Sequence, residues 1–293
     1  MISKYLAKAS LAPMKRPILK NPSDYGMKYE DISFFSDDGL KINAWYIKGS
    51  SDKLIIFTHP MPFNRYGFHT KGQGLMRISN IEVELLNVVK QLNDAGYSVL
   101  TMDMRNHGES EKSLNGICTV GYYEWQDVVG AMKYIKRDKN LMGKKIGMVV
   151  NCMGANSALI ALAKEQTLFS DIKAVVAIQP VSYNIFIKNY VVDKMPFVKR
   201  LLPNIDKQVK KLTGLYLKDM SPLEYIPDVK QPVLYVQVKQ DKWTIPEDII
   251  SFHEATKTNS EIFWIEGEFS RFDGYNYFGQ KPKKMLDWLD RYM

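Results

Sequence analysis

The sequence predicts an α/β fold on a mostly parallel sheet, and three observations carry that prediction. Short apolar, β-branched runs alternate along the chain with longer stretches of helical periodicity. The first two runs are joined by Asp37-Asp38-Gly39, a hairpin signal, so the sheet begins antiparallel before crossover connections turn it parallel. Finally, the stretch VVNCMGANSA at 149–158 runs from β-branched residues through a compact turn into a helix-forming segment, with a nucleophilic side chain at its centre.

Taken in order, the strand-like runs are 29–36, 40–47, 53–59, 97–103, 145–151, 172–179, 232–238 and 261–266, which makes eight strands. Helices are expected at 81–95, 122–137, 154–165, 246–257 and 281–291. The first of these stops at Ala95-Gly96, where glycine suits the left-handed position after a helix. The fourth starts at Pro246 with Glu247 and Asp248 in its first turn, a proline and two acids where a helix N-terminus favours them. Two connections are longer than a compact sheet needs. Residues 60–80 are rich in Gly, Asn and aromatics. Residues 183–230 separate two strands, and Tyr183, Phe186, Tyr190, Phe197, Leu201 and Leu202 make them apolar enough for an ordered helical cap. No linker divides the chain, so 1–293 reads as a single domain with an N-terminal arm over 1–27 and a cap insertion at about 183–230.

Bulk numbers narrow the function classes. The 293 residues are 45% hydrophobic and 25% charged, ordinary for a globular protein. Two cysteines are too few for a disulfide framework, which points to a reducing, cytoplasmic setting. The apolar runs are too short to cross a bilayer, and the basic N-terminus has no continuous apolar segment; it reads as a short amphipathic helix rather than a signal or an anchor, so no stable membrane insertion is expected. The net charge of +8 is concentrated at 188–218, in Lys188, Lys194, Lys199, Arg200, Lys207, Lys210, Lys211 and Lys218. Such a cluster attracts acidic substrates, nucleic acid or anionic lipid, or is simply a solvated helical face. No stacking aromatics alternate with these charges and no nucleic-acid motif is present, so the solvated face is preferred and no nucleic-acid partner is expected. No His/Asp/Glu/Cys group has ligand spacing, so neither a metal nor a cofactor is expected.

Four segments carry chemistry. Cys152 sits where a strand turns sharply into a helix, beside backbone N–H groups and the positive end of a helix dipole, a setting that suits a thiolate. Gly154 and Ala155 keep the turn compact, whereas Val150 stands where glycine is usual. From this stretch alone Cys152 is equally a nucleophile or a buried structural cysteine. The run ending in His59-Pro60 closes the third strand. Pro60 has no N–H, so the candidate oxyanion donors are the backbone N–H groups of Met61 and Met153. After the fourth strand, Asp103, Arg105 and His107 are suited to tying a loop together with charge-assisted hydrogen bonds. Asp241 follows the strand at 232–238, placed to orient and charge-stabilise a histidine.

The hairpin, the His-Pro turn, the segment DMRNHGES at 103–110, the turn at Cys152, the Asp241 segment and the terminal helix together resemble the α/β-hydrolase family over about residues 28–293. The cysteine-centred elbow is similar to that of dienelactone hydrolases; the segment 22–34 and the cap resemble the serine peptidase-like and acyl-esterase branches. The resemblance implies an α/β-hydrolase fold with a mostly parallel eight-stranded sheet flanked by helices, a small-molecule acyl substrate, and a histidine after the last strand. The matching stretch, 264–278, has no histidine; Ser270 or Arg271 occupies the slot. Arg271 and Asp273 are placed to pair with each other or with Asp241, and the latter would turn the acid–base pair into an ion pair. Of the four histidines, His59 is best placed to substitute, on the strand beside the nucleophile's. His253 lies about 18 Å along its helix from Asp241, and His69 and His107 lie in loops. Two readings follow. In the first, Cys152 attacks a small ester, thioester or lactone, Met61 and Met153 hold the oxyanion, and Asp241 orients a partner such as His59. In the second, the fold is kept for binding without catalysis.

Overall fold

The computed structural model describes residues 2–13, 15–71, 79–267 and 269–293. Its main sheet has eight strands: β1 (Tyr29–Phe35), β2 (Lys41–Ile47), β3 (Lys53–Phe57), β4 (Ser98–Met102), β5 (Lys145–Asn151), β6 (Ile172–Ile178), β7 (Val233–Val238) and β8 (Ser260–Ile265). They lie in the order β1-β2-β4-β3-β5-β6-β7-β8. The β1–β2 and β2–β4 pairs are antiparallel and the rest parallel, as the hairpin signal at Asp37-Asp38-Gly39 predicts. Gly39 takes φ 89° in that turn, and Ser36 N–H donates to Leu40 O at 2.8 Å.

Burial explains the sequence pattern. The central strands β4, β5, β6 and β7 are covered on both faces and read as near-continuous apolar runs, whereas β1 at the edge alternates. Nine helices are described: α1 (Ile2–Leu11), α2 (Leu85–Asp94), α3 (Trp125–Arg137), α4 (Met153–Lys164), α5 (Tyr183–Lys194), α6 (Leu202–Thr213), α7 (Pro246–Ala255), α8 (Arg271–Gln280) and α9 (Lys283–Tyr292). The connection between β6 and β7 holds α5, a 3-10 turn at Pro196–Leu201 and α6.

Two expectations are corrected. The helix expected from residue 81 begins at Leu85, because Val83 and Glu84 pair with Phe68 and Gly67 in a two-residue antiparallel ladder. Gly67 is required there: it takes φ 135°, and a Cβ would fall 2.0 Å from Val83 O. This ladder folds part of the long 60–80 connection, whose residues 72–78 lie outside the described residues. The second correction is α8. The stretch after β8, where the sequence pattern predicts no helix before 281, is a helix opened by a capping box: Ser270 Oγ accepts from Asp273 N–H at 3.3 Å while Asp273 Oδ2 accepts from Ser270 N–H at 2.9 Å.

The segment after β4 is a buried charge network. Asp103 accepts from the backbone N–H of Arg65 and of Glu109, and from the Arg65 guanidinium. Arg105 is held by Asp127 and Asp38. The imidazoles of His107 and His59 meet edge to face at 4.8 Å, both fully enclosed. Burial pushes His59 down to about 4; burial and the neighbouring His59 push His107 down to about 3. Both are therefore neutral in the fold and take up protons only on unfolding.

Below the ordinary imidazole range the unfolded chain binds protons that the fold excludes, so the part of the stability that rests on these two histidines is complete above about pH 6.5 and is lost as the pH drops toward 4. For His59 the loss approaches on the order of 3 kcal/mol. Thermal melts between pH 7 and 4 are expected to show a steep acid loss, reduced in His59→Gln and His107→Gln variants measured relative to their own pH 7 values.

Candidate functional site

β5 occupies the middle of the sheet, and Cys152 follows it directly. Its backbone takes φ 46° and ψ −113°, a conformation that costs strain in any non-glycine residue and turns the chain sharply into α4. The elbow requires close packing on one side. A Cβ at Gly154 would fall 2.1 Å from Thr58 Oγ1 and 3.0 Å from His59 O, so only glycine lets α4 start against the end of β3. Val150, where glycine is usual, is fully buried and lies in register with the small Ala177 of β6. Met153 is the first residue of α4, so its N–H has no acceptor within the helix. Met61 is half-buried in the turn that follows β3, the strand beside β5.

The partner of Cys152 comes from α8. Arg271 Nη2 lies 3.4 Å from Cys152 Sγ and donates to Gln179 O at 2.8 Å; Arg271 Nη1 donates to Asp241 Oδ2 at 2.6 Å. The ion pair is buried, with the two side chains 4% and 2% exposed. Asp241 is satisfied further by Trp243 N–H on Oδ1 and by the Thr244 hydroxyl on Oδ2. Gln179 completes the clamp from the end of β6: its side-chain amide donates to Arg271 O at 2.8 Å. A Cβ at Gly274 would fall 2.5 Å from Val238 and 2.9 Å from Gln179 Nε2, so this glycine lets α8 seat against both. Burial alone disfavours the guanidinium's charge, but Tyr275, Cys152 and Asp241 outweigh it and hold the proton on more firmly than in water. Burial, partly opposed by Arg271 and reinforced by Cys152, keeps the Tyr275 phenol protonated well above its ordinary range.

The expectation that His59 partners Cys152 and Asp241 is corrected. His59 Nε2 accepts the Met104 backbone N–H at 3.0 Å, so the proton resides on Nδ1, which donates to Pro60 O at 3.0 Å. Both ring nitrogens are committed to backbone, leaving none to take a proton from the thiol. The other three histidines make different contacts: His69 with Glu82, His107 with Arg105 O, and His253 with Ser260. Asp273 pairs with neither Arg271 nor Asp241; it caps α8. Cys118 and Cys152 are free thiols, and Cys118 is fully buried against Asn106. Among the described residues no group of acidic, His or Cys side chains is arranged to hold a metal ion.

An aromatic wall encloses the site. The Phe186 ring of α5 is centred 5.2 Å from the Arg271 guanidinium carbon, and the Tyr275 ring 5.7 Å from it. Trp243 packs edge-on against Phe186, Tyr190 and Phe272, while its indole N–H donates to Asp193 of α5. Sequence reasoning missed Gln179, Tyr275 and Trp243. Gln179 has φ 52°, invisible in the sequence, whereas the Ser270-x-x-Asp273 box was a signal that would have placed Arg271 at a helix start.

This geometry can be compared with known proteins. A family model described as alpha/beta hydrolase fold matches residues 73–219. The chain belongs to that family. Among curated proteins, the uncharacterized protein YqkD of Bacillus subtilis is 25% identical over 234 residues, covering 77% of this chain and 70% of its own. Among solved structures, the esterase Pf2001 of Pyrococcus furiosus matches with a TM-score of 0.73 at 23% identity, over 97% of this chain and 98% of its own. The acylaminoacyl peptidase of Pyrococcus horikoshii matches with a TM-score of 0.65 at 16% identity, over 91% of this chain and 42% of its own. At such identities the likeness to these structures is one of fold. No helix among the described residues is long and apolar enough to cross a membrane.

The clamp makes a stability prediction. Arg271→Met leaves Asp241 buried without its cation and is expected to cost about 3 kcal/mol in urea denaturation. Adding Asp241→Asn should recover most of that loss, because the uncompensated charge is then gone.

Proposed function

We propose that this α/β hydrolase handles a small ester, thioester or lactone through Cys152, with an Asp241–Arg271 pair in place of an acid–histidine pair. The observation that carries the reading is the placement of one guanidinium between the Asp241 carboxylate and the Cys152 sulfur. An arginine there cannot act as a general base, since its guanidinium is already protonated and has no lone pair to accept another proton. It can steer the sulfur and supply a counter-charge to an anion forming at it.

The chemistry that survives without a base is acylation by a thiolate. The Cys152 thiol first loses its proton to solvent, and the thiolate left behind attacks the carbonyl carbon, forming a C–S bond as the carbonyl π pair moves onto oxygen. The carbonyl oxygen becomes an oxyanion facing the N–H groups of Met61 and Met153. The bond to the leaving group then breaks, and the electron pair leaves with it. A thiolate leaving group departs without a proton, whereas an alkoxide needs one, so thioesters, activated esters and strained lactones fit better than plain alkyl esters. The following step, water attacking the acyl-cysteine, wants a base. Acylation is therefore expected to outpace hydrolysis.

One observation favours a second reading, a binder without turnover: neither Arg271 nor His59 offers a nitrogen that can accept a proton. An electrophilic acyl probe followed by mass mapping separates the two. The enzyme reading expects an adduct on Cys152 in the folded protein; Cys118, fully buried, should label only after denaturation. Absence of a Cys152 adduct, with Cys118 labelling normally once unfolded, decides for the binder. In the enzyme reading, Arg271→His restores a base between Asp241 and Cys152, and steady-state turnover of an activated ester should rise about 10²-fold or more, with loss again in the added Cys152→Ala.

A further inference from the structure

We propose that α1, α6 and the turn between α5 and α6 form a face that docks peripherally on an anionic phospholipid bilayer. Three independent observations meet there.

The first is charge. Residues 2–11 and 196–213, which make up this face, carry seven cations and one carboxylate, a net +6 out of the chain's net +8. The one carboxylate, Asp206, accepts the Leu217 N–H.

The second is the way these segments meet. α1 packs directly on α6, and between them lies an open groove of about 640 Å³. Lys4 of α1 and Lys207, Lys210 and Lys211 of α6 line it, with Ser3 and Tyr216. Four ammonium groups around one groove suit the phosphates of lipid headgroups.

The third is exposed apolar surface at the same place. Ile2 and Tyr5 stand on the outer side of α1, 66% and 67% exposed, while Ala7 and Leu11 pack inward. Phe197, in the turn leading into α6, is 81% exposed and is followed in sequence by Lys199 and Arg200. An amphipathic helix that bears lysines beside an outward aromatic matches a helix lying in the headgroup region. Large apolar side chains set among cations favour a bilayer over a nucleic acid, which would be met by charge alone. The face is also tied to the site's wall: Tyr183 at the start of α5 donates to Ser10 O of α1 and stacks on Phe186, which lies over Arg271. A docked protein would therefore present the helices beside Cys152 to the lipid.

The test is sedimentation of the full chain with vesicles of pure phosphatidylcholine and of phosphatidylcholine mixed with phosphatidylglycerol, with duplex DNA as a competitor. Binding is expected for the mixed vesicles only, weakening as salt rises. Lys4→Gln, Lys207→Gln and Lys211→Gln should each lower partitioning about fivefold, the equivalent of ~1 kcal/mol per cation. Ile2→Ser, Tyr5→Ser and Phe197→Ser, at exposed positions that leave the core intact, should lower it further. Absence of binding to the mixed vesicles overturns the proposal. Binding that depends on the lysines but ignores the three apolar substitutions, and that DNA competes away equally well, also overturns it in favour of a general polyanion site. Neither result bears on Cys152 labelling, which is read separately.

Discussion

The candidate site depends on one buried cation. Arg271 reaches from the start of α8 to three groups on three different parts of the sheet's edge: the Asp241 carboxylate after β7, the Gln179 carbonyl after β6, and the Cys152 sulfur after β5. A guanidinium suits this role because its planar fork holds several donors in fixed directions and stays charged when enclosed. Burying it is tolerable only because a carboxylate and a carbonyl meet it directly. The same bonds that hold α8 down also define what the thiol faces, so packing and chemistry are carried by the same atoms.

Around that cation the backbone is under tension. Cys152 and Gln179 both have positive φ, at the C-terminal ends of adjacent central strands. Two glycines accompany them, Gly154 against Thr58 and Gly274 against Gln179, each at a contact where a Cβ would not fit. Strain of this kind persists only when surrounding structure imposes it, and here the imposing structure is the edge of a doubly covered sheet. That edge is where α/β folds place their ligands. The family's elbow is thus kept in shape, while the residue opposite it is a cation that accepts no proton.

A second buried polar centre serves the fold instead. Asp103 with Arg65, Arg105 with Asp127 and Asp38, and the His59–His107 pair fasten the segment after β4 to its neighbours. Two histidines sit close to the site in the sequence logic of the fold but belong to this centre. His59 spends both nitrogens on backbone groups of the turn after β3 and of the segment after β4, which closes the gap between neighbouring strand ends and removes it from acid–base work.

Much of the architecture was legible in the sequence because its signals are local or periodic. All eight strands of the main sheet were read within two residues of their observed ends, and the hairpin at Gly39 and the break at Gly96 were explicit. The turn at Cys152 and the lack of a histidine in 264–278 were equally plain. So was the alternative that Arg271 pairs with Asp241, although the same stretch left Asp273 as an equal candidate. What the sequence determined, then, is the sheet, the elbow and the kind of side chain available to it. Tertiary structure decided which of those side chains meet. Arg271 turns inward because a capping box starts α8 at Ser270 and Gly274 lets that helix seat on Gln179, and His59 is unavailable because Met104 N–H comes to rest on its Nε2. Those outcomes hang on contacts between residues roughly 30 to 120 positions apart, and at that separation only the folded sheet, not the local pattern, sets who is within bonding distance.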